Sequence, residues 1–222
     1  MQNGVSTLPT LRSGVLTVAA FKGFAPFAWE EDGEARGRDI AFLRRFAEHH
    51  GLGFRVRFHD FDRLWEAPER GEADIAASGI SLMPGKREAQ VAWSRPYSEV
   101  RRTLLTRKDD AIRGMTDLAG RSLSVVACSA AHDHAKQALP ETANLRFCET
   151  LQEGIEDLLA GKTDAVGTGD VSARHHLTVR EGMTAVDAHT GLPPEYITFA
   201  VRESDQLVRQ LDTFIFENNS LY

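Results

Sequence analysis

Twice along this chain an apolar run of strand length is followed by a helical pattern and a second strand, and that alternation leaves few folds open. In the first instance "GVLTVAAF" (14–21) leads through the Gly/Pro-containing loop "KGFAPFAWEEDGEARG" to "RDIAFLRRFAEHHG". There Ile40, Leu43, Phe46 and Ala47 recur at helical spacing until Gly51 stops the helix. "FRVRFHD" sets Phe54, Val56 and Phe58 against Arg55, Arg57 and His59, the period of a half-buried strand. Asp62 is placed to cap a short helix whose later turns Pro68 distorts, and "ADIAASG" is the next strand. Strand, helix, strand, helix, strand is a parallel α/β unit.

The pattern returns after "RRTLLTRKDD". "GRSLSVVA" reads as a strand, "SAAHDHAKQAL" as a helix and "LRFC" as a strand. Thr150 and Glu153 form a capping box for "LQEGIEDLLA", Gly161 closes that helix, and "TDAVGTG" is the strand beyond it. Near the end "EYITFAVR" is a strand and "SDQLVRQLDTFIFENN" a Ser204-capped helix with Leu207, Leu211, Phe214 and Ile215 on one face. The expected fold class is therefore α/β in two lobes, each a sheet flanked by helices. Strand ends and helix N-termini gather at carboxyl edges, so facing edges make a cleft for a small polar ligand.

Composition agrees with this and removes other classes. The 222 residues, 42% of them apolar, suffice for one large domain or two smaller ones. A net charge of −6 with scattered basic residues gives no footprint for nucleic acid. No apolar stretch reaches the roughly 18 residues of a membrane span. The start "MQNGVSTLPTLRSG" lacks the regions of a secretory signal, so either the protein is cytosolic or an export signal has been removed. Cys128 and Cys148 allow one disulfide in an oxidising compartment, since they end strands expected to be neighbours, or two free thiols.

"ASGISLMPGKR" (77–87) draws attention to one edge of the cleft. Ser78, Gly79 and Ser81 follow a buried strand, offering hydroxyls and backbone amides, and Arg87 brings a guanidinium one short loop later. Together they suit an anion such as a carboxylate. Ser129 in "VACSAAH" begins a helix directly after a strand, where it reads as an N-cap.

The order and spacing of "FAPF", "DGEARGRDI", "DFDRLWEAPERGEADIAASGIS", "KREAQVAWSRPYSE", "LAGRSLSVVACS" and "LLAGKTDAV" resemble the type II periplasmic solute-binding proteins. In particular they resemble the polar amino-acid-binding family, bacterial extracellular solute-binding proteins family 3. The resemblance covers nearly the whole chain. It implies two lobes joined by two crossover strands, residues 1–100 plus 200–222 against 101–199, with hinges near 98–106 and 194–202. It implies that Arg87 grips a ligand α-carboxylate, with Ser78, Gly79 and Ser81 in the same loop, and that Phe24 and Phe61 sandwich the aliphatic part. Ser129 and Ala130 would close over the carboxylate, and Asp170 would take an ammonium group. The partners implied are an amino acid or similar small carboxylate and the membrane permease of an ABC transporter, with the protein a periplasmic or extracellular monomer using no cofactor.

Some positions depart from the family pattern. Pro84 stands where a threonine is usual, Gly79 replaces a second serine, and counting five residues from Asp164 reaches Gly169 rather than Asp170. Gly37, Asp39 and Ala41 lack the second acid of a "GxDxD" stretch, and Phe21 replaces an acid three residues before Phe24. These changes disfavour a strongly cationic ligand. His132 and His134, His49 and His50, and His175 and His176 have spacings unsuited to a metal, so no metal site is expected. No nucleophile elbow or phosphate loop occurs, and the expectation is a binder without catalytic residues. Two alternatives share the fold: a dehydratase of a cyclic carboxylic acid, for which only Asp170 offers a general acid, and the ligand-sensing domain of a membrane receptor.

Overall fold

The computed structural model describes residues 8–82, 88–188 and 193–218. Its first sheet has the order β5 (Gly53–Phe58), β1 (Val15–Ala20), β6 (Ile75–Ser81), β14 (Glu195–Val201) and β7 (Ala92–Trp93), with β8 (Ser98–Val100) also on β14. The second sheet runs β11 (Asn144–Cys148), β10 (Ser122–Val126), β12 (Ala165–Gly169), β9 (Arg102–Arg107) and β13 (Met183–Asp187). The chain passes from one sheet to the other between β8 and β9 and returns between β13 and β14. In each sheet the three strands of the βαβ unit are parallel, and the crossing strand is antiparallel to the third: β14 on β6, β9 on β12. The helices are α1 (Arg38–His49), α2 (Ala130–Ala138), α3 (Leu151–Leu159), α4 (Asp170–Val179) and α5 (Asp205–Asn218).

The helical spacing read from the sequence is the face that is buried. Ile40, Leu43 and Phe46 of α1 and Leu207, Leu211 and Ile215 of α5 are almost wholly inaccessible. Each such side chain contributes about 1.5–3 kcal/mol of burial. Thr150 accepts the Glu153 amide at 3.1 Å, and Glu153 returns the contact by accepting the Glu149 amide at 2.7 Å. The segment after β5 departs from expectation. It is a 3₁₀ turn, Phe61–Glu66, interrupted at Arg63, with Asp60 rather than Asp62 at its N-cap. The stretch read as a loop, 22–37, is a three-stranded meander of β2 (Gly23–Phe24), β3 (Ala28–Glu31) and β4 (Glu34–Arg36). Its tight turn places Asp32 and Gly33 at φ 52° and 78°, the left-handed pair that an Asp-Gly hairpin requires.

Each sheet is tied internally by the same kind of clamp. Asp74, at the start of β6, accepts the Thr17 and Leu11 amides at 2.9 and 2.7 Å and lies 3.6 Å from Nε of Arg202. Asp164, at the start of β12, accepts the Ser122 amide and hydroxyl, both at 2.8 Å, and lies 3.4 Å from Arg107. In both, an acid before the third strand gathers the amide of the first strand and an arginine of the antiparallel one. The repeated "EADIA" and "KTDAV" are these clamps.

A bulge in β6 shapes the wall between the sheets. Ala76 pairs with Ala200 and Ile80 with Thr198, so three residues of β6 oppose one of β14. Ser78 and Gly79 take φ of 122° and 62° there. Their amides turn out of the sheet, and both donate to Oδ2 of Asp39, at 2.9 and 2.8 Å. Asp39 is completely buried in the first turn of α1. Burial pushes its carboxyl up to about 6, against the amides of Gly79 and Ser78, the Tyr97 hydroxyl and the Arg38 charge, which hold it down. Gly79 also lies against the Phe27 ring, and a Cβ at this position would sit 2.6 Å from Phe27 Cδ2.

Two outcomes follow. Because the Asp39 carboxyl titrates higher in the fold than in the unfolded chain, its ionisation costs stability progressively as pH rises from about 4 through about 6. Asp39→Asn keeps an acceptor for the amides and removes that cost. Its denaturation free energy, compared with the parent's by urea melts across this range, should gain about 3 kcal/mol between pH 4 and 7. Gly79→Ala forces a side chain into both the Phe27 contact and the left-handed backbone, and should lower stability by about 2 kcal/mol in the same assay.

Candidate ligand-binding cleft

A small cavity of about 20 Å³, room for one water, lies where the two sheets face each other. The first sheet's side supplies Phe24, Phe27, Phe61, Gly79 and Ser81; the second supplies Ser129, Ala130, Gly169 and Ser172. Val100, Arg102 and Ile197 reach it from the strands on which the chain crosses. The lobes are in apolar contact around it, since one buried cluster includes Phe61, Leu64 and Trp65 of the first with Val126, Cys148 and Leu151 of the second. A larger solute therefore enters only when the lobes separate or the aromatic wall parts.

Of the residues singled out from sequence, Phe24, Phe61, Gly79, Ser81, Ser129 and Ala130 meet at this cavity. Phe24 and Phe61 stack on each other at 5.2 Å and 19°, with Phe21 edge-on to Phe61 at 5.4 Å. The two rings thus form one continuous wall, and an aliphatic stem between them has to take the place of their mutual contact. Ser129 caps α2, its hydroxyl accepting the His132 amide at 3.2 Å, and is 2% exposed. The N-terminal turn of α2 therefore lies at the cavity.

Ser78 and Asp170 stand elsewhere. Ser78 is fully buried; its amide is given to Asp39 and its hydroxyl accepts the Phe21 amide at 2.8 Å, so it shapes the wall from behind. The amide of Gly79 is likewise given to Asp39. Asp170 opens α4 outside the cavity lining, accepting the Arg101 amide at 3.0 Å and Arg174 Nη1 at 2.7 Å. Arg87 lies outside the described residues. Cys128 and Cys148 are free thiols. Strands β10 and β11 are neighbours as expected, but their register puts Val126 beside Cys148, while Cys128 turns away at φ 58°. Burial pushes the Cys148 thiol up to about 11.

Two residues that composition left among the scattered charges, Arg102 and Glu195, prove central. Arg102, the first residue of β9, is 8% exposed, and its Nε lies 2.8 Å from Oε1 of Glu195, the first residue of β14. The other Glu195 oxygen accepts the Ser81 hydroxyl at 2.7 Å. One ion pair thus spans the two crossing strands and ends on the wall of the first lobe. Burial lowers the Arg102 guanidinium, while Glu195 and Asp170 act to raise it. Spacing alone gave no signal for this network, because Ser81 and Glu195 are 114 residues apart. The one local hint was an arginine inside "RRTLLT", an otherwise buried strand.

A larger open groove lies elsewhere among the described residues. About 810 Å³ in size, it runs between the β2–β3 hairpin and helices α3 and α4, past Trp29, Glu30, Thr150 and His175. His176 borders it, 4% exposed, and burial drops its imidazole to about 4. Among the described residues, no helix is long and apolar enough to cross a membrane.

The virulence sensor protein BvgS of Bordetella bronchiseptica is 28% identical over 207 residues, which are 91% of this chain and 16% of that protein, so the chain spans about a sixth of the sensor's length. A crystal structure of an amino acid ABC transporter substrate-binding protein from Streptococcus pneumoniae, bound to L-arginine, superimposes with a TM-score of 0.85 at 26% identity, covering 93% of this chain and 89% of that one. The ancestral amino acid-binding protein AncCDT-1, described as a precursor of cyclohexadienyl dehydratase, gives a TM-score of 0.84 at 25% identity, covering 93% and 90%. The sequence profile of one family matches residues 16–220, nearly the full two-lobed unit, and the chain therefore belongs to the bacterial extracellular solute-binding proteins, family 3.

Proposed function

We propose that this protein captures an amino acid or a similar small carboxylate between its lobes and presents it, as a monomer outside the cytoplasm, to the permease of an ABC transporter. The observation that carries this reading is the composition of the interlobe cavity. Stacked phenylalanines, hydroxyls, a helix N-terminus and a buried guanidinium converge on one small space from both lobes and both crossing strands. Such a site fits an organic anion, with apolar surface for a stem and donors for charge. Arg87 is proposed to seize the α-carboxylate, with Ser81 beside it and Ser129 and Ala130 closing from the far lobe. The lobes are proposed as residues 1–100 with 200–222, and 101–199. Hinge motion then falls where β8 passes into β9 and on the approach to β14. The S. pneumoniae protein, an ABC transporter substrate-binding protein bound to L-arginine, supports the class of ligand and the transport role.

A sensory role is the second reading, favoured by the 28% identity to BvgS across 91% of this chain. It uses the same pocket and differs in what the closed lobes signal to. A dehydratase has less support. AncCDT-1 bears on it, but the Asp170 carboxylate is engaged by Arg101 and Arg174 and is absent from the cavity lining.

Melting the protein against the common amino acids and small organic acids tests the reading. A solute at 100 times its Kd adds about 2.7 kcal/mol, which for a protein of this size raises Tm by about 5–10 °C. Arg87→Ala should abolish the shift while leaving the ligand-free Tm within about 2 °C. A panel with no shift at all would overturn solute binding. Turnover of a cyclic acid, lost on replacing Asp170, would establish the dehydratase instead.

A further inference from the structure

A buried guanidinium with unmet donors is an expensive thing to keep. Arg102 is such a group. Its side chain is 10% exposed, and Nε, 2.8 Å from Oε1 of Glu195, is paired by charge but has no hydrogen-bond partner among the described residues. Space for the terminal nitrogens is provided by Gly169, where a Cβ would stand 3.3 Å from Nη2 and 2.3 Å from Val100 Cγ1. The guanidinium lines the cavity beside Ser129 and Ala130, at the positive end of α2. Glu195, by contrast, has both oxygens engaged, one by Nε of Arg102 and one by the Ser81 hydroxyl. The uncommitted valence facing the ligand space is thus positive and donating. Asp170, the other acid near Arg102, is tied to Arg101 and Arg174 and adds no second acceptor to the cavity.

Resting on the solute-binding reading above, we propose that Arg102 is a ligand-binding residue that receives a second carboxylate, so that the solute is an acidic amino acid or other dicarboxylate. Glu195 acts as a positioning residue, holding the guanidinium at the cavity by charge and leaving its donors for the ligand. A cationic side chain placed there would face a like charge in a poorly solvated space, with Glu195 already occupied. This separates the pocket from that of the S. pneumoniae protein bound to L-arginine.

Calorimetric titration of the wild-type protein with L-glutamate, L-aspartate, glutarate and succinate, each set against L-glutamine, L-asparagine and L-arginine, decides the matter without a variant. At least one dicarboxylate should bind about 30-fold or more tightly than its amide counterpart, the value of one charge-assisted contact. Arg102→Gln should bring that dicarboxylate down to the affinity of its amide, and Arg102→Lys should restore part of the preference. If an amide or arginine binds as tightly as the acids, or the preference survives in Arg102→Gln, the assignment fails and solute binding stands. If no compound in this set or in the wider amino-acid and organic-acid panel binds, solute binding fails and takes the assignment with it. Should Arg102→Gln not fold, the wild-type comparison of acid with amide still confirms or refutes the proposal.

Discussion

The carboxylate of Asp39 holds the cleft in shape. An aspartate at the start of a helix ordinarily serves that helix's own amides, but here it reaches two amides of a strand bulge 39 and 40 residues away. A bulge in a central strand exposes donors that have no ladder partner, and a buried amide left unpaired costs about 1–3 kcal/mol. Asp39 satisfies both with a single oxygen, at the expense of carrying a charge where water does not reach. That expense appears as its raised titration point. Because the bulge turns β6 at Ser78 and Gly79, the strand's last residues, Ile80 and Ser81, resume pairing with β14 at the cavity's edge.

This arrangement explains which parts of the molecule could be read from the sequence. Periodicity is a local property, so the strands β1, β6, β10 and β12, the apolar faces of α1 and α5, and the Thr150 cap all stood in view. Phe24, Phe61 and Ser129 could be placed at the cleft because the family resemblance supplied their setting and their loop positions agreed. The meander at 22–37 was legible in principle from Asp32–Gly33, a hairpin signal hidden by short strands on either side. Ser78 was the instructive case: small hydroxyl residues after a strand suit both an anion site and a bulge, and only the distant partner Asp39 decides between them. The link from Ser81 to Arg102 and Glu195 was invisible because burial of a charge depends on which strands become neighbours, and Glu195 looks like ordinary surface in its local context.

The internal likeness of the lobes has a physical meaning beyond kinship. In each, an acid at the foot of the third strand fixes the register of the first, and an arginine from the crossing strand neutralises it. The antiparallel strand therefore contributes more than edge pairing; it delivers a counter-charge to a carboxylate that is buried at Asp74 and half-buried at Asp164. The same two crossing strands carry Arg102 and Glu195 at their interlobe ends. Structural and ligand-facing charges are thus placed by one topological device.

That device also sets an order of events during biosynthesis. A nascent chain has β1, β5 and β6 in hand early, but the edge of β6 has no neighbour and Asp74 no arginine until β14 and Arg202 emerge. The second sheet suffers no such delay, because β9 precedes β10 and β12 in the chain. The lobe begun second can be finished first, while the one begun first waits with an unsatisfied edge, the kind of exposed partly folded surface on which chaperones act.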